Sequence, residues 1–187
     1  MPILPAEPDL FPDNLLDDWS EDPDDQSHWW VLYTLARREK DLMRRLKAMN
    51  VGFYGPMCPR KNRSPNGRVR VSHVPLFAGY VFLYGNEDDR LKALTTNCIS
   101  RTLPVNDASS LVSELRNIRR LIDSNAPLTP ESRLEPGARV RVKNGPLKGV
   151  EGTVVQRRGK ERLLVAVEFL QQGASVALED FRVEPLG

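Results

Sequence analysis

Val74-Pro75-Leu76-Phe77-Ala78-Gly79-Tyr80-Val81-Phe82-Leu83-Tyr84 is the stretch that decides how this chain folds. Its β-branched and aromatic residues, with Pro75 at the start and a turn-prone Asn86 beyond the end, predict a strand. Alternation puts Tyr80, Phe82 and Tyr84 on one face and Gly79, Val81 and Leu83 on the other. Neither face is polar, so the strand is either covered on both sides or shows an aromatic row to a partner. Phe82 and Tyr84 read as core. Phe77 and Tyr80, near Pro75 and beside Gly79, read as contact residues.

Upstream, residues 28–35 (His-Trp-Trp-Val-Leu-Tyr-Thr-Leu) predict a first strand. Over 38–50 the apolar period changes, and Leu42, Met43, Leu46 and Met49 make a helical stripe. The opposite face carries Arg44, Arg45 and Lys47, and Asn50 with Val51-Gly52 closes the helix. Residues 53–59 predict a second strand interrupted by Gly55-Pro56. The polar tip 60–68 holds the hairpin signal Asn66-Gly67, and 68–71 returns as a third strand into the opening stretch. Residues 1–27 are rich in Pro and Asp and predict a disordered acidic tail. Leu10, Phe11, Leu15, Leu16 and Trp19 lie among those acids, a mixture suited to docking on a basic surface, including this protein's own.

Downstream, Asn86 with Glu87, Asp88 and Asp89 starts a helix with core positions Leu91 and Leu94. Residues 99–105 predict another strand. Residues 107–125 predict a helix from Leu111, Leu115, Ile118 and Ile122. The region 28–125 is therefore an α+β domain with a mainly antiparallel sheet and flanking helices. A Pro-containing linker follows at 126–133. From 134 to 187, short strands separated by turn residues predict a small all-β barrel. Residues 160–172 also fit a helix, but Gly159, Gly173, Val165 and Val167 favour strand.

The 187 residues hold 27 Lys and Arg against 25 Asp and Glu, a net charge of +2. That balance hides an asymmetry. The first 28 residues carry Glu7, Asp9, Asp13, Asp17, Asp18, Glu21, Asp22, Asp24 and Asp25 and no Lys or Arg. The body is thus basic, as polyanion partners require. No apolar run approaches a membrane span and no signal peptide is apparent. Two distant cysteines, Cys58 and Cys98, suit a reducing cytoplasm. His28 and His73 are the only histidines. With no metal spacing, phosphate-cradling loop or nucleophile elbow, nothing predicts an enzyme or a cofactor.

Two motifs sharpen the reading. Pro136-Gly137-Ala138-Arg139-Val140-Arg141-Val142-Lys143-Asn144-Gly145-Pro146-Leu147-Lys148-Gly149-Val150-Glu151-Gly152-Thr153-Val154-Val155 resembles a KOW motif. The opening stretch, with Trp29-Trp30-Val31-Leu32-Tyr33, resembles the N-terminal domain of the NusG family of transcription elongation factors. The order of domain, linker and KOW barrel matches over about residues 28–187. Ala78 stands where the family commonly has Pro. The Trp-Trp-Val-Leu-Tyr string and the acidic extension look closer to operon-specific antiterminators of the RfaH and polysaccharide-operon type. Unlike RfaH, the KOW motif is intact and the His-Thr-Thr segment is absent near Asp89.

The resemblance implies a monomeric cytoplasmic factor that grips the clamp helices of the β-prime subunit of RNA polymerase through Tyr33, Phe77, Tyr80 and Phe82. It would bridge the cleft and suppress pausing or termination. Arg44, Arg45, Arg60, Lys61, Arg63, Arg68 and Arg70 would face non-template or upstream DNA. Phe169 and Leu170 of the KOW domain would recruit ribosomal protein NusE or Rho, although alternation with Val165 and Val167 places Phe169 in the barrel core. The rival is an RNA-binding protein using the aromatic strand 79–84 and the basic hairpin 60–70.

Overall fold

In the computed structural model, which describes residues 7–187, the apolar stretch at 74–84 is two strands and a turn. The chain up to Pro75 belongs to one strand, and Tyr80 starts the next. Gly79 sits at φ +86°, where side chains other than glycine's are strained. Its N–H donates to a buried carboxylate oxygen of Glu39 at 2.7 Å, and the Tyr80 N–H donates to the Phe77 carbonyl at 3.1 Å. Local turn chemistry overrides the apolar run here.

Two compact units divide the chain, Met1–Ala108 and Ser109–Gly187. The first contains β1 (Leu10–Phe11), α1 (Leu15–Asp18), β2 (His28–Thr34), α2 (Glu39–Ala48), β3 (Gly52–Tyr54), β4 (Met57–Arg63), β5 (Val69–Pro75), β6 (Tyr80–Gly85), α3 (Glu87–Leu94) and β7 (Ile99–Pro104). Five strands make an antiparallel sheet in the order β1-β3-β6-β2-β7, and β4 and β5 form a separate ribbon. This is the α+β antiparallel arrangement the sequence predicts. The strand expected at 53–59 is split at Gly55-Pro56, its halves joining different sheets.

One face of the five-stranded sheet packs on helices. Leu32, Phe53, Val81 and Leu83 meet Leu42, Met43 and Leu46 of α2 and Ala93 of α3. Helix α2 ends with Asn50 left-handed at φ 56°. Asn86 caps α3, its side chain accepting the Asp89 N–H while Asp89 accepts the Asn86 N–H. The expected core positions Leu91 and Leu94 are exposed instead. The eight-residue helix turns Ala93 inward.

The other sheet face carries Trp29, Val31, Tyr54 and Phe82, all buried. One end of it is covered by the acidic extension, so the predicted disorder is corrected over residues 7–27; residues 1–6 lie outside the described residues. Strand β1 pairs with β3, Gly55 N–H donates to the Asp9 carbonyl, and Leu10, Leu15 and Leu16 are buried. A Cβ on Gly52 would meet the Leu15 side chain at 3.7 Å. Three leucines supply the apolar burial that composition averaged over the tail conceals.

The second unit holds α4 (Ala108–Asp123) apart from its first residue, then β8 (Thr129–Glu131), β9 (Arg139–Val142), β10 (Glu151–Arg157), β11 (Lys160–Val167), a 3-10 turn (Glu168–Leu170), β12 (Gln172–Ala177) and β13 (Val183–Pro185). The sequence grouped that helix with the first domain. Here the Arg120 guanidinium donates to the Lys148 carbonyl, and a Glu114 carboxylate accepts the Glu168 N–H at 3.1 Å. The six strands form an antiparallel sheet in the order β13-β9-β10-β11-β12-β8. Residues 160–167 are strand, not helix. The predicted linker is partly absorbed, since β8 is an edge strand paired with β12. Among the described residues no helix is long and apolar enough to cross a membrane.

Candidate functional site

The register of three strands assembles an exposed aromatic and cationic cluster in the first unit. Tyr33 of β2 lies opposite Tyr80 of β6 and opposite Arg101 of β7, so all three side chains share a face. The tyrosine rings tilt against each other with centroids 5.3 Å apart, and the Arg101 guanidinium lies 5.6 Å from the Tyr33 centroid. Tyr33 is 39% exposed and Tyr80 is half-buried. Such a trio offers flat apolar area with a positive rim, at low entropic cost because the rings have few rotamers.

Of the four aromatic residues singled out from sequence, the structure brings Tyr33 and Tyr80 together at the surface. Phe82 is buried in the same row, as core. Phe77 corrects the expectation of an open ring, because it is 1% exposed in the turn ahead of β6. Arg101 was missed. Nothing in a lone arginine on an edge strand marks it; only the pairing of β7 with β2 brings it over Tyr33.

The basic residues fall into two groups. On α2, Arg44 pairs with Glu7 of the extension at 2.8 Å and Arg45 with Asp41 at 3.1 Å. On the β4–β5 ribbon, Arg60, Lys61, Arg63, Arg68 and Arg70 are all exposed, and among the described residues none of them makes an ion pair. Five uncompensated cations on a projecting ribbon are a concentrated positive feature.

The aromatic strand is closed to base stacking along most of its length. Tyr84 packs on Trp29 with ring centroids 5.2 Å apart, and its hydroxyl donates to Asp25 at 2.5 Å. Burial first, then the Asp25 hydrogen bond and charge, push the Tyr84 phenol up to about 12. The same hydrogen bond, with the Ser27 N–H, holds the Asp25 carboxyl below its usual range. With Phe82 buried and Tyr84 held by Trp29 and Asp25, strand 79–84 keeps Tyr80 as its ring beside the exposed Tyr33, a small platform for base stacking.

In the second unit, Phe169 sits on the 3-10 turn and is exposed, while Leu170 is half-buried. The strand ends at Val167, which resets the alternation that had placed Phe169 inside. Sequence reading also missed Glu131, whose buried carboxylate accepts hydrogen bonds from Arg157 at 2.9 Å and Ser175 at 2.7 Å. Burial alone would raise its pKa, but these partners and the Arg157 charge hold it low. Both cysteines are free, and burial pushes the Cys58 thiol up. Among the described residues no group of three or more His, Cys, Asp or Glu could hold a metal ion.

Comparison with known proteins adds a second line. Residues 27–133 match the family model described as "Transcription termination factor nusG". The chain is also 26% identical over 175 residues to the "Transcription termination/antitermination protein NusG" of Pseudomonas aeruginosa, covering 83% of this chain and 97% of that relative.

Proposed function

This chain belongs to the NusG family of transcription termination factors, and from that premise we propose that it docks on RNA polymerase through the Tyr33–Tyr80–Arg101 surface. The occupant of that surface is the apolar tip of the β-prime clamp helices, with the two rings as anchors and Arg101 as polar rim. Phe77 and Phe82 support the surface from below. Docked there, the first unit spans the cleft and opposes pausing or termination. The basic ribbon and α2 face DNA of the elongation complex. The second unit acts as the KOW module, with Phe169 and Leu170 recruiting a further factor such as NusE or Rho. The acidic extension ahead of residue 27, outside the family match, supports an operon-specific member; the factor works as a monomer in the cytoplasm.

The observation that carries this reading is the tilted pair of tyrosines at the surface of the matched region, Tyr33 exposed and Tyr80 half-buried. Tyr33→Ala and Tyr80→Ala each weaken capture of core polymerase by about tenfold or more, as aromatic hot spots do. Circular dichroism of the variants remains that of the parent. Unchanged capture by the double variant sinks the assignment.

A further inference from the structure

The β4–β5 ribbon has a construction that the docking role leaves unused. Residues 42–86 contain no Asp or Glu. Only the base of the ribbon is covered: Met57 is buried and Val74 and Pro75 are half-buried, whereas residues 60–63 and 68–71 are exposed on both faces. At about 3.3 Å per residue the bare part reaches roughly 13 Å into solvent.

The register sorts its side chains. Lys61 lies opposite Val71 and Arg63 opposite Val69, giving one face with two cations and two exposed valines, 47% and 59% exposed. Asn62 lies opposite Arg70 and Arg60 opposite Ser72, so the other face is wholly polar. The tip is a tight turn, with the Gly67 N–H donating to the Ser64 carbonyl at 2.9 Å. No Phe, Tyr or Trp occurs anywhere in residues 57–75.

From this we propose that the ribbon binds B-form DNA duplex by entering the major groove. The inference rests on the nucleic-acid-facing role given to these residues above and names the form of the ligand. A polyanion matches five unpaired cations. Single strands are held largely by stacking on aromatic rings, and the ribbon has none. The B-form major groove, about 12 Å wide and about 8.5 Å deep, admits a two-stranded ribbon. The A-form major groove of duplex RNA is too narrow for side chains to read. The face with Val69 and Val71 turns to the groove floor, where valine methyls meet thymine methyls and Lys61 and Arg63 meet base edges or phosphates. Arg60, Arg68 and Arg70 reach the phosphate rims.

Fluorescence anisotropy of the full chain with a labelled DNA duplex, the matching single strand and an RNA duplex, between about 50 and about 200 mM salt, tests this. The parent binds the DNA duplex at least about tenfold more tightly than the other two. Arg60→Ala/Arg70→Ala weakens duplex binding about tenfold and lowers the salt slope by about two, near one per lost phosphate contact. Val69→Ser/Val71→Ser weakens it severalfold with the slope unchanged. Equal losses on single strand or on RNA duplex overturn the groove assignment but keep the nucleic-acid role. No loss on any ligand overturns that role as well, while the Tyr33 and Tyr80 variants report on polymerase docking separately.

Discussion

Tyr84 and Asp25 tie the acidic extension to the sheet with one hydrogen bond, and its pH dependence has a fixed sign. The phenol is raised in the folded state, so its contribution is complete below pH about 10 and is lost as pH rises toward about 12. The Asp25 carboxyl is lowered, so its contribution is present above its unfolded value near 3.8 and fades as pH falls through the folded one. Urea midpoints of the full chain therefore fall on both flanks. Tyr84→Phe reduces the drop between about pH 10 and about pH 12 and leaves the plateau slightly lower. An alkaline drop of equal size in the variant would assign that loss to other groups. The sequence pointed to Tyr80 and Phe77 alike as contact residues, and only Tyr80 reaches the surface, beside Tyr33. Phe77 is chemically as good an anchor as Tyr80 and is buried, because the turn that Gly79 permits withdraws its ring.

Among the elements, the extension departs most from what composition suggests. Its acids dominate any average, yet Leu16 is completely buried and Leu10 and Leu15 nearly so. Strand β1 extends the sheet beyond β3 and gives that edge a partner. Leu16→Ala therefore destabilises the first unit by about 2–5 kcal/mol, the range for emptying a buried leucine site. Tryptophan fluorescence reads this well, since Trp19, Trp29 and Trp30 all lie in that unit. A change under about 0.5 kcal/mol would show that the segment contributes little to the fold. Period errors were smaller: α2 and the cap of α3 were legible from spacing and from Asn86. Leu91 and Leu94 were misassigned because a short helix offers too few turns for the pattern to choose between faces.

At the scale of the molecule, charge and connectivity are arranged segment by segment. The acids of residues 7–25 lie ahead of the family match, and the basic residues lie within and after it. Strand β8 converts part of the expected linker into an edge of the second sheet, fastened by Glu131 to Arg157 and Ser175. Removing that carboxylate leaves the buried Ser175 hydroxyl without its acceptor and takes one of two carboxylate partners from Arg157. Glu131→Ala should cost about 1–3 kcal/mol in the second unit. Urea unfolding followed by circular dichroism measures it, and Glu131→Gln recovers part of the loss because its amide oxygen still accepts. Identical midpoints for parent and Glu131→Ala would mean that backbone pairing alone holds β8.

The sequence by itself determined most element types, the α+β antiparallel character, the basic ribbon and the family, because apolar period, turn residues and the Gly-rich KOW string are local signals. Tertiary structure alone decided which aromatic rings face outward, that Arg101 caps Tyr33, that the acidic extension docks, and that Phe169 leaves the core. Each depends on strand register or on where a turn interrupts alternation. Those are set by partners distant in the chain. The opening apolar stretch carries both lessons: its residues announced a strand, and the contact between Glu39 and Gly79, forty positions apart, marks where that strand begins.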